Sequence, residues 1–159
     1  MKANLSALFT LATFTAVAAH ASVFEIRRVE PRGTPNTTSY QLENAGRVGT
    51  VALSNEVLLD RSGLSGARVT EERVAVTSGR NPEYKGVPAI QLSFTGAGQK
   101  RFTELSKSLS GKAIGVVIDG RLVAMPVLRE KVAGSSVTLT GAFTKEEAAA
   151  LVAKVKSGK

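Results

Sequence analysis

VVIDGRLVAMPVL, residues Val116 to Leu128, joins two apolar runs through Asp119-Gly120. Asp-Gly is the dipeptide that best accepts positive φ at both central positions of a two-residue hairpin turn. The stretch therefore predicts two antiparallel strands in register about that turn, with Ile118 opposite Arg121, Val116 opposite Val123 and Ile114 opposite Met125. The larger groups of that set would pack under helices. The other face would carry Ala113, Gly115, Val117, Leu122, Ala124 and Pro126, which are mostly small and all uncharged. Such a face is either an interaction surface or a floor covered by the earlier strands or by a partner subunit. Pro126 cannot donate to a ladder, so its strand belongs at a sheet edge or carries a bulge.

Working outward, VPAIQLSF alternates Ile90, Leu92 and Phe94 with Gln91 and Ser93, the mark of a half-buried strand. Thr95 is the expected N-cap of a helix through Ser110, with Phe102, Leu105 and Leu109 on its buried stripe. Gly111 suits its C-terminal stop. A turn at Gly134-Ser135-Ser136 leads to a short strand over Val137 to Thr140. A last helix opens with the capping box Thr144-x-x-Glu147, is stapled by Phe143 and Ala148, and buries Leu151, Val152 and Val155. Before position 87, VFEIRRVE reads as a strand, PRGTPNTTSY as a loop, Ser54-Asn55 as a turn and SGRNPEYKG (Ser78 to Gly86) as a polar loop. ARVTEERVAV changes apolar parity at Glu71-Glu72, which suggests a bulge or two short strands. The fold class is α+β: an antiparallel or mixed sheet with two helices packed on one face.

Residues 1–21 read differently. A basic start, an apolar run without charge and Ala19-His20-Ala21 make a secretory signal peptide cut before Ser22. Residues 22–86 would then supply strands and loops that complete the domain whose better-marked region is 87–159. Cleavage would remove Lys2, taking the net charge from +8 to +7, and the only histidine, His20; there is no cysteine. Without His or Cys, the Ser-His-Asp and Cys-His systems, thiolate chemistry and the usual zinc ligand sets are excluded, and no metal or cofactor is expected. The basic residues are scattered and Trp is absent, so the charge reads as a solvated surface attracting acidic partners, with no nucleic acid.

Carboxylates remain as candidate catalysts. Asp119 has no acidic neighbour in sequence and lies beside Arg121, so the turn already explains it and Gly120. Glu71 and Glu72 should point to opposite faces of a strand. Glu146 and Glu147 suit the positive end of a helix dipole. Thr144 and Glu147 are helix-capping residues, and no catalytic residue is assigned.

The region AIQLSFTGAGQKRFTELSKSLSGKAIGVVIDGRLVAMPVLREKVAGSSVTLTGAFTKEEAAALVAKVKSG resembles the head of the first periplasmic domain of SecD, the export-assisting subunit of the Sec machinery. The resemblance rests on order: Lys100-Arg101-Phe102 in a helix, Gly111-Lys112, a strand ending in Asp119-Gly120, then Ala124-Met125-Pro126-Val127 and Thr140-Gly141-x-Phe143-Thr144-x-Glu146-Glu147-Ala148. FEIRRVE and Val57-Leu58-Leu59 match more loosely what precedes the head. The chain departs from the family at Gly96-Ala97-Gly98, where SecD-like proteins carry acidic residues. It also stops at Lys159 without the membrane segments that follow in the family, so no proton-driven translocation by this chain alone is expected. The resemblance implies the fold and an envelope setting, periplasmic or extracellular. The expected function is non-enzymatic binding of polypeptide or an envelope protein, the Sec machinery among the candidates, through Val117, Leu122, Ala124 and Pro126. A small carboxylate-dependent hydrolase of envelope polymers and a self-associating structural module stand as alternatives.

Overall fold

The computed structural model describes residues 23–44, 47–77, 81–128, 134–141 and 143–158. The expected signal peptide lies outside the described residues. The element order is β1 (Phe24–Glu30), β2 (Thr37–Asn44), β3 (Arg47–Asp60), a 3-10 turn over Arg61–Gly63, β4 (Leu64–Ala75) and β5 (Tyr84–Phe94). Then come α1 (Gly96–Ser108), β6 (Ile114–Ile118), β7 (Arg121–Ala124), β8 (Ser136–Thr140) and α2 (Lys145–Ser157). The strands divide into a five-stranded sheet, β2-β3-β1-β6-β7, and a three-stranded sheet, β4-β5-β8. Every ladder described is antiparallel. The fold is therefore α+β with two helices, as the sequence predicts, and the sheet is split in two.

The main core lies where the sheets and helices meet. Phe24 and Ile26, Ile90, Leu92 and Phe94, and Ile114, Val116 and Ile118 meet Phe102 of α1 and Leu151, Val152 and Val155 of α2. Phe94 stacks on Phe102 with ring centroids 4.8 Å apart. Both helices start as expected: Thr95 Oγ1 accepts from Gly98 N–H, and the Thr144/Glu147 capping box is complete.

Four expectations change in the first half. The loop reading of 31–40 fails in its second part, because Thr37–Asn44 is a strand. Its alternation of Tyr40 and Leu42 with polar neighbours outweighs the prolines before it. Ser54-Asn55 is no turn but lies inside the 14-residue β3, where register shifts against β1 absorb the irregularity. β4 is one strand whose pairing with β5 is unbroken from Gly66 to Ala75, so no bulge falls at Glu71-Glu72. The fourth is that β5 begins at Tyr84, which shortens the loop expected over 78–86.

The segment after β3 ties the molecule together. The Gly63 carbonyl accepts from Thr95 N–H at 2.9 Å, while Arg61 donates to the carbonyls of Leu64 (2.7 Å) and Val155 at the end of α2 (2.5 Å). Arg101 on α1 donates to Leu58 O at 2.7 Å. Gly98 lies so close to Gly63 that a methyl group there would overlap the Gly63 carbonyl, whereas Gly96 faces open space. Gly98→Ala is therefore expected to cost about 2–3 kcal/mol through backbone displacement. Gly96→Ala should be neutral or stabilising by about 0.5 kcal/mol through helix propensity. Urea unfolding of the two variants checks the contrast, and equal stabilities would refute the close approach.

Candidate functional site

The hairpin turn has φ of +51° at Asp119 and +73° at Gly120, the positive pair that the Asp-Gly reading requires. Asp119 N–H donates to Val23 O at 2.8 Å, and the Asp119 carboxylate is ion-paired with Lys154 of α2. Beside it Arg121 reaches Glu147 at 3.7 Å. Glu147 also accepts from Thr144 N–H at 2.8 Å, and Thr144 accepts from Glu147 N–H at 3.2 Å. The turn and α2 thus enclose a cleft of about 230 Å³ lined by Ile118, Asp119, Arg121, Glu147, Leu151 and Lys154.

This cleft holds two carboxylates, each against its own cation and each about half exposed. A general acid needs burial or a facing carboxylate to keep its proton, and an exposed ion pair supplies neither. Among the described residues no group of three or more His, Cys, Asp or Glu side chains could hold a metal. Asp119→Asn keeps the positive φ and loses one exposed ion pair, an expected change of less than about 1 kcal/mol. Gly120→Val forces a β-branched residue to φ +73°, which should cost about 1–3 kcal/mol. Thermal melts of the two variants check this, and a lower Tm for Asp119→Asn than for Gly120→Val would refute it.

Beyond the turn, the ladder departs from the simple register. Ile118 pairs with Arg121 and Val117 with Leu122, but Val116 pairs with Ala124, because Val123 is an extra residue in β7. The isolated bridge is Ala113 to Val127, and Ile114 N–H donates to Pro126 O. The bulge corrects two expectations. Ala124 joins Val116 in the main core, and Met125, expected under the helices, turns outward at 38% exposure.

The face expected to bind a partner is covered. Val117 is 1% and Leu122 3% exposed, packed on Leu53 with Val29, Tyr40, Leu42 and Val51 around them. The cover is β2 and β3, which curl across and bring β2 against β7. Gly115 admits it, since a Cβ there would lie 2.6 Å from Leu53 Cδ2. Of the four residues, Val117, Leu122 and Ala124 are buried and Pro126 is half-buried. The accessible apolar groups beside Pro126 are Met125 and Val127, the latter 59% exposed. Sequence reasoning passed over Tyr40 and Leu42, whose alternation was legible but lay behind two prolines.

A buried ion pair lies along the same strands. Glu25, 4% exposed, meets Arg27 Nε at 2.7 Å, and Arg27 also donates to Ser54 O at 3.0 Å.

Comparison with known proteins gives a consistent result. SecD from Syntrophobacter fumaroxidans is 27% identical over 123 residues, covering 77% of this chain and 22% of that protein. SecDF from Thermus thermophilus is 28% identical over 145 residues, covering 86% and 19%. SecD from Calditerrivibrio nitroreducens is 32% identical over 95 residues, covering 60% and 17%. The chain thus spans about a fifth of the length of these curated relatives. The fold is similar to that of SecDF in its super-membrane-facing form, with TM-score 0.62, 23% identity and coverage of 87% of this chain and 19% of that one. It is also similar to the structure of a membrane component SecDF that enhances protein export, with TM-score 0.59, 24% identity and coverage of 87% and 63%. The family described as SecDF, P1 head subdomain, matches residues 39–159, and this chain belongs to it.

Proposed function

We propose that this chain works in the cell envelope as a polypeptide-binding head that assists protein export and performs no chemistry of its own. The observation that carries the reading is the match of residues 39–159 to the SecDF P1 head subdomain. It is supported by the likeness to a SecDF that enhances protein export. Within the chain, Met125 and Val127 flank Pro126 just beyond the edge strand β7, an exposed apolar strip beside main-chain groups that an extended segment could pair with. The net charge, +8 for the full chain and +7 for the protein beginning at Ser22, favours acidic clients. No helix among the described residues is long and apolar enough to cross a membrane. Delivery to the envelope rests on the proposed signal peptide, and N-terminal sequencing of the exported protein should begin at Ser22.

Fluorescence anisotropy with a labelled, permanently unfolded polypeptide tests the binding. The protein beginning at Ser22 should bind it, and Val127→Asp and Met125→Asp should each weaken binding several-fold with the melting temperature unchanged. Absence of binding, or binding indifferent to both changes, rejects the reading.

A further inference from the structure

The pairing of β3 with β1 ends at Glu30 opposite Ala52. Beyond it, from Val51 to Arg47, β3 is laddered to β2 alone, with Tyr40 opposite Val51 and Leu42 opposite Gly49. This outer part of the hairpin is an arm. It folds back until β2 lies against β7, yet β2 and β7 are the two ends of their sheet and no ladder joins them among the described residues. Side chains make the contact: Tyr40, Leu42 and Val51 sit over Leu53, Val117 and Leu122, in a cluster separate from the main core. Outside its own ladder the arm is also held by Arg32, which donates to Thr50 O at 3.1 Å on the surface.

Among the described residues, lifting the arm would break those side-chain contacts and one exposed hydrogen bond, while every described ladder would survive. A segment held in this way belongs to the low-stability end of a structure's local openings. What it covers has a definite chemistry. Val117 and Leu122 form an apolar pair across the hairpin, β7 presents a strand edge, and Met125 and Val127 continue outward from it. Apolar side-chain sites beside a free strand edge suit an extended polypeptide with alternating apolar residues.

We infer that the β2–β3 arm is a hinged cover over a second, cryptic binding site, and that an extended apolar polypeptide segment takes the place of β2 beside β7. This rests on the polypeptide-binding reading above and deepens it. The closed arm competes with the client, so apparent affinity scales with the fraction of molecules open.

The chain has no cysteine, so single thiols report opening cleanly. Leu122→Cys and Val117→Cys probe the covered face, and Ile90→Cys, fully buried in β5, reports global unfolding. In native buffer without client, thiols at 122 and 117 should be labelled at least tenfold faster than at 90. Their rates should change little in low urea, where labelling at 90 accelerates steeply. Tyr40→Ala should raise the rates at 122 and 117 and leave 90 unchanged. Similar rates and urea dependence at all three positions overturn the cover, including the case in which a cysteine merely destabilises the fold. The unfolded polypeptide should then slow labelling at 122 and 117. Fast labelling that the polypeptide leaves unchanged overturns the cryptic site. Failure of the polypeptide to bind at all is seen separately by anisotropy and counts against the proposed function.

Discussion

Leu122→Lys is expected to destabilise the protein by about 4 kcal/mol, through the lost burial of leucine and the placing of an unpaired ammonium in an apolar site. Leu122 is 3% exposed and packs with Leu53, Val117, Tyr40, Leu42 and Val51, and the carboxylate of that interior, Glu25, is already paired with Arg27. The new charge can reach water only by displacing the β2–β3 arm, so a cysteine placed at Val117 in this variant should be labelled faster while one at Ile90 stays protected. A melting temperature lower by about 10 °C or more is the expected reading. Leu122→Met, which keeps volume and polarity, should cost less than about 1.5 kcal/mol. A Leu122→Lys protein that melts like the parent would mean that the hairpin's apolar face meets solvent.

Arg27→Met should also destabilise, by about 2–3 kcal/mol, because it takes the guanidinium from both the buried Glu25 carboxylate and the Ser54 carbonyl, while the other contacts of Glu25 remain. Arg27 serves two acceptors at once, Glu25 at 2.7 Å and the Ser54 carbonyl at 3.0 Å, where β3 is out of register with β1. Arg27→Lys should fall between the parent and Arg27→Met, since an ammonium keeps the charge but not the planar fork. Denaturant unfolding of the three proteins gives the order. Arg27→Met within about 1 kcal/mol of the parent would show that the pair behaves like a surface ion pair.

The curled sheet has an interior of its own, apolar at Leu53, Val117 and Leu122 and polar at Glu25 and Arg27, separate from the core beneath the helices. Loss of Leu122 attacks the cover, and loss of Arg27 attacks the strand junction from which that cover springs.

Much of this was legible in the residues alone, where the determinants are local. Positive φ at Asp119 and Gly120, the Thr95 cap, the Thr144/Glu147 box and the period-two run from Ile90 to Phe94 each depend on atoms a few positions apart. The order of such features also carried the family resemblance. What the chain could not disclose locally was anything decided by residues far apart. The extra residue at Val123, which sends Met125 outward and Ala124 into the core, is set by how β7 meets β6 and the main core. The fate of Val117 and Leu122 was open on sequence because an uncharged strand face looks the same whether water or another strand lies over it. Tyr40, Leu42 and Val51, dozens of residues away, settle it by closing over them. Burial is a property of the whole packed chain, and so the sequence by itself determined the two helices, their caps, the Asp119-Gly120 turn and the strand ending at Phe94, while only the tertiary structure decided that Thr37–Asn44 is a strand and which apolar face became surface.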